Sequence, residues 1–137
     1  MTMITELTLT VLSSLGLLIS LYFLLVYHKL ILPNASYIPT FCRLDERTCE
    51  TILHTPYARL LGVQNFYPGI IFYILVIVFG SDPNALHTLV GLSGVTVLAG
   101  IYLSYSLLYK LKVPCVLCFT GHGINFFIFI LLLSSLR

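Results

Sequence analysis

The chain has 137 residues, of which 58% are hydrophobic and 9% charged, with a formal net charge of +2. So apolar a composition excludes a soluble globular domain, the length excludes a second folding unit, and the small net charge argues against a nucleic-acid partner. What remains is an integral membrane protein.

The first six residues carry none of the basic character of a secretory signal, and the apolar run that follows is too long for a signal-peptide core, so that run is expected to stay in the protein. Uncharged runs cover residues 7–27, 60–81, 84–109 and 113–136, each near the ~20 residues that carry a helix across ~30 Å of hydrocarbon. The fold expected is an all-α, four-helix transmembrane bundle in one domain, 1–137, with spans at about 7–27, 66–81, 85–109 and 114–136 and both termini on one side.

After Tyr27 the pattern breaks at His28 and Lys29, and Pro33, Asn34, Ser36 and Pro39 mark an extended, water-facing passage. Cys42 and Cys49 lie in this loop with six residues between them. Thr48 suits the cap of a short helix over residues 49–54 that Pro56 ends, lying on the membrane surface with Ile52 and Leu53 toward lipid. The second span is expected to start near Pro68, because Gln64 and Asn65 are costly in lipid unless they face protein or a ligand. Ser81, Asp82, Pro83 and Asn84 then form a turn, since Asp before Pro resists helix and Pro presets φ. On the third span Gly91, Gly94 and Gly100 are small enough to let backbones approach.

Lys110, Leu111 and Lys112 make a tight connection to the last span, which Pro114 opens. Cys115 and Cys118 fall in its first turn, where the helix dipole, free N–H groups and the two lysines make Cys115 a candidate nucleophile. Two pairs of cysteines at one membrane face allow two chemistries. A loop pair beside a helix pair supplies the relay that thiol–disulfide exchange needs, whereas a structural four-cysteine zinc site accounts for the gaps only in part and leaves the helix-start placement unexplained. A small four-span transporter is a further alternative, but no Asp, Glu, Lys or Arg lies inside a span to couple transport.

Cys115, Cys118, His122 and Asn125 are spaced three, four and three apart and so line one helix face descending ~15 Å into the bilayer. A polar stripe at that depth must face the bundle interior, with Asn125 expected to hydrogen-bond between helices. Gly121 and Gly123 beside it leave room for a flat ring. His28, His54 and His87 fall at interfaces or loops and receive no role.

These residues resemble the vitamin K epoxide reductase family. The likeness runs through Ser20, Leu21 and Tyr22 at the end of the first span, Cys42 and Cys49, the segment Thr55-Pro56-Tyr57-Ala58-Arg59-Leu60-Leu61-Gly62-Val63, residues 69–73, and Cys115-x-x-Cys118. The resemblance implies a membrane four-helix bundle that generates disulfide bonds by oxidising thioredoxin-like proteins and reducing a quinone of ubiquinone, menaquinone or vitamin K type. It makes Cys115 and Cys118 the active-site pair, with Cys118 next to the quinone, and Cys42 and Cys49 the shuttle pair. Asn65 matches an asparagine that contacts the quinone carbonyl, His122 stands where vertebrate members have a substrate-facing tyrosine, and Thr55 replaces a hydrogen-bonding serine. Many bacterial members carry a fused thioredoxin-like domain, so a chain that stops at Arg137 is expected to use a separate thioredoxin-like partner. No metal, flavin or nicotinamide motif is present.

Orientation is where two arguments part. Most of the family keeps the cysteine side outside the cytoplasm, where disulfides persist. Yet Lys29, Arg43, Arg47, Arg59, Lys110 and Lys112 all fall on the cysteine side, and only Arg137 on the side of the termini, which the positive-inside rule reads as a cytoplasmic active site. The charge count leads us to expect Cys42 and Cys115 in the cytoplasm of the native host. Labelling intact cells with a membrane-impermeant thiol reagent after mild reduction checks this, and ready labelling of Cys42 from outside refutes it.

Overall fold

The computed structural model describes residues 2–28, 30, 59–60, 63–111 and 116–137. Cys42, Cys49, Thr55, Cys115 and the surface helix expected over 49–54 lie outside the described residues.

The described chain is mainly helical. Helix α1 covers Met3–Tyr27, α2 Phe66–Phe79, α3 Leu86–Tyr105 and α4 Val116–Ser135, with a π-helical turn, Ser106–Leu111, prolonging α3. Three segments, Met3–Tyr27, Leu86–Lys110 and Leu117–Ser135, are long and apolar enough to cross a membrane. The fourth apolar helix, α2, has 14 residues, or ~21 Å at 1.5 Å per residue, against a hydrocarbon thickness of ~30 Å. It is shorter than its apolar run because part of that run does other work. Residues Arg59–Leu60 and Val63–Gln64 pair as a small antiparallel β-ladder, β1 and β2, and the helix begins directly after Asn65, two residues before Pro68. Proline fits there because a first-turn residue needs no N–H partner.

The turn between α2 and α3 is tied as its residues predict. Asp82 Oδ1 accepts from the backbone N–H of Asn84 at 2.9 Å and from Asn84 Nδ2 at 3.1 Å, and the Ala85 N–H reaches the Asp82 carbonyl at 3.1 Å. The connection after Tyr109 differs from the expected tight loop. Helical structure continues to Leu111 by widening into the π-turn, a local distortion that recurs at functional sites.

Helix α1 packs most extensively on α2, α3 packs on α4, and α1 also meets α4. Two apolar clusters result. One, nearer the cysteine side, holds Phe23, Val26, Phe66, Leu107 and Leu117, with Cys118 against it. The other, toward the termini, is built on Phe72, Tyr73, Val76, Leu89, Ile124, Ile128 and Leu132. At the cysteine-side end, His28 Nε2 and the Tyr67 hydroxyl share a hydrogen bond of 2.7 Å, which ties the end of α1 to the start of α2.

Close helix approach happens at other glycines than α3 alone offers. Gly91 has nothing within 4 Å of where a Cβ would sit, and Gly94 has only an ordinary contact with Phe129. On α1, by contrast, Gly16 is buried and any Cβ there would overlap the Tyr73 ring of α2. Gly69 of α2 in turn faces Ser20 of α1, whose Oγ lies 3.1 Å from the same virtual atom. In a bilayer, where apolar association brings no hydrophobic gain, this close contact is what holds α1 to α2. Gly16→Val is therefore expected to destabilise the protein by ~1–3 kcal/mol, read as a lowered melting temperature in detergent, while Gly91→Ala leaves it unchanged.

Candidate functional site

Between the two apolar clusters lies a cavity of about 330 Å³ lined by all four helices. Its walls are mostly aliphatic and aromatic. Seven lining residues carry other polar or sulfur groups: Ser20 of α1, Asn65 and Tyr73 at the start and middle of α2, Thr96 of α3, and Cys118, His122 and Asn125 of α4. The three from α4 are half-buried on one face, two turns of helix from first to last, or ~10 Å in depth. That is the arrangement the three- and four-residue spacing calls for, and it brings Cys118 and His122 into one space with Asn65.

The local sequence explains each position. Cys118 is the third residue of α4, so its thiol sits in the first helical turn at the cysteine-side end of the cavity. Asn65 precedes the first residue of α2, the place of a capping residue, but its side chain makes no capping hydrogen bond. Its amide is thus left for the cavity, which Asn65 lines. His122 lies one turn below Cys118 and packs its ring against α3 at Gly100. A Cβ on Gly100 would stand 3.0 Å from His122 Nδ1 and 3.3 Å from Cγ, so a larger residue there would press the imidazole a few tenths of an ångström out of its place.

At the far end, the Tyr73 hydroxyl donates to Asn125 Oδ1 at 2.6 Å, from α2 to α4. The hydrogen bond between helices expected of Asn125 is present. Its partner Tyr73, only 3% exposed, was not singled out in the sequence, because a tyrosine in an apolar run reads as core. The signal available was its place: with Asn65 eight residues earlier, it lies about two turns away on much the same side of α2.

The open side of the cavity can be located from exposure. Among the lining residues Ile71 of α2 is 60% exposed and Val95 of α3 is 57% exposed, and α2 and α3 touch less than the other neighbouring helix pairs. The opening therefore lies between α2 and α3, with apolar residues at its edges. Gly121 lines the cavity without filling it, since a Cβ there would meet nothing within 4 Å.

Chemically, the site is an apolar slot with a thiol at one end, two amides and an imidazole as hydrogen-bonding groups, and no Asp, Glu, Lys or Arg among the described residues of its lining. Such a slot suits a flat, neutral, carbonyl-bearing ring and a sulfur that reacts with it. Compared with known protein families, the sequence matches the model of the vitamin K epoxide reductase family over residues 7–133, nearly its whole length, and the chain belongs to that family, whose members are membrane oxidoreductases.

Proposed function

We propose that the protein is a membrane enzyme that generates disulfide bonds, taking electrons from a separate thioredoxin-like protein through Cys42 and Cys49, then Cys115 and Cys118, and delivering them to a quinone. The observation that carries this reading is the apolar cavity with Cys118, Asn65 and His122 in its wall. The short helix α2 counts in it as the fourth membrane segment, its start and the hairpin before it lying at the cysteine-side face.

The described residues fit a quinone. A quinone carbonyl accepts hydrogen bonds and donates none, and both the uncapped amide of Asn65 and the imidazole of His122 can donate. The empty space over Gly121 leaves room for the ring, and an opening between Ile71 and Val95 admits an apolar tail from the lipid. When bound, a quinone supplies a sink for two electrons and two protons. The residues do the rest.

In the relay, the reduced partner attacks the Cys42–Cys49 disulfide at Cys49, and the freed Cys42 attacks Cys115. Cys118 is released into the cavity, where its sulfur takes up a proton and stands as a thiol. The second thiol of the partner displaces Cys49, completing the partner's disulfide, and Cys49 re-closes on Cys42 and frees Cys115; the Cys118 sulfur then gives up the electron pair in the cavity, and Cys115 closes on it to restore the disulfide. Thr55 keeps the hydroxyl that orients this region in relatives, and Asn65 holds the carbonyl nearest Cys118.

Two outcomes follow. Cys115→Ala and Cys118→Ala each abolish catalysis, while Cys42→Ala and Cys49→Ala block oxidation of a protein partner but leave part of the activity toward dithiothreitol, which reaches the helix pair directly. Loop variants as inactive as helix variants toward dithiothreitol would sink the relay. Asn65→Ala raises the quinone KM up to about tenfold, the loss of one hydrogen bond worth ~0.5–1.5 kcal/mol, with exchange between loop and helix cysteines unchanged. Steady-state kinetics over a quinone concentration series measures it.

A further inference from the structure

The reduction assigned to the cavity consumes protons as well as electrons, and the lining restricts where they can come from. Among the described residues no carboxylate, lysine or arginine lines the space. From α1 and α3 the polar groups are the hydroxyls of Ser20 and Thr96, and Thr96 already donates to the Ser93 carbonyl at 2.7 Å. From α2, Tyr73 donates its proton to Asn125. On α4 itself the neighbours are Cys118 one turn above and Asn125 one turn below. Among the described lining residues that leaves the imidazole of His122 as the group built both to accept and to release a proton.

We propose that His122 is the proton carrier of this site: its imidazole takes the Sγ proton of Cys118 and passes it to the oxygen being reduced. Two features of the geometry support it. Residues four apart on a helix share a face, and the Cys118 thiol and the His122 imidazole line the same cavity one turn apart. And the ring packs with its Nδ1 edge against Gly100 of α3, itself part of the cavity wall, so the imidazole is held within the lining. This rests on the quinone reading above.

The balance closes. Two thiols, Cys115 and Cys118, lose two electrons and two protons as their S–S bond forms, and the quinone gains both pairs to become a hydroquinone. The Cys118 proton moves through His122. The Cys115 proton is released to water, and water returns one in its place to the second oxygen.

A hydrogen-bonding role alone and proton transfer are separated by His122→Asn and His122→Gln, which keep an N–H donor but cannot carry a proton. In fully reduced, quinone-free protein, alkylation of Cys118 by iodoacetamide, read by peptide mass, is expected to slow about tenfold in both variants, because the base beside the thiol is gone. In single turnover, reduction of quinone by the reduced enzyme falls ~10²-fold or more at saturating quinone, and imidazole added to His122→Gly restores part of it. Gly100→Ala, which crowds the ring, shifts alkylation in the same direction. Asparagine and glutamine variants that alkylate and turn over like the parent protein would overturn the proposal while leaving the quinone reading intact. A reduced parent protein that fails to reduce any quinone would overturn both.

Discussion

The hydrogen bond from Tyr73 to Asn125 fixes the inner end of the cavity. It spans α2 and α4, and the same tyrosine ring lies against the bare backbone of Gly16 on α1. Three helices are thereby fixed at one depth. The stabilisation is small, since hydrogen bonds between membrane helices average about 0.6 kcal/mol. Its value is positional. With both groups engaged, the inner end of the cavity has a defined floor, and the distance from that floor to Cys118 is set by the rise of α4. Small residues carry the rest: Ser13, Gly16 and Ser20 are buried on one face of α1, where larger side chains would hold α2 away and widen the slot.

Helix α2 shows how function and spanning compete for the same residues. A continuous helix over its whole apolar run would place Asn65 within a turn, with its amide beside a helical ladder already satisfied. Instead the chain forms a two-residue ladder, breaks, and restarts at Phe66. Asn65 stands at the restart without a capping hydrogen bond, at the cysteine-side end of the cavity. The cost is length, and the Asp82 turn makes up for it by beginning α3 within a few residues.

Much of the architecture was legible because membrane helices announce themselves by length and lack of charge. The stripe of Cys118, His122 and Asn125 was legible because its period is that of a helix, and polar residues inside a span have only the interior to face. What escaped notice was of a different kind. Gly16 and Tyr73 are ordinary in an apolar run, and their meaning lies in a pairing across helices that no periodicity within one segment encodes. The β1–β2 ladder is too short for alternation to show. The π-turn falls where Lys110 reads as the end of a span. His28 was passed over as an interface residue, although its bond to Tyr67 ties α1 to α2.

The lining of the cavity also constrains the chemistry it can host. A charge buried at a helix centre costs ~2.5–3.5 kcal/mol even on the most lenient scale, and among the described residues no permanent charge lines this space. A thiolate formed there must therefore be short-lived or matched. In the proposed turnover an imidazole one turn away offers the match: when the proton of Cys118 crosses to it, the thiolate and imidazolium would form together as a pair and vanish together as the electrons and proton move on. A slot used in this way would begin and end each turnover neutral, and its apolar walls would favour the same flat, uncharged ring before and after reduction.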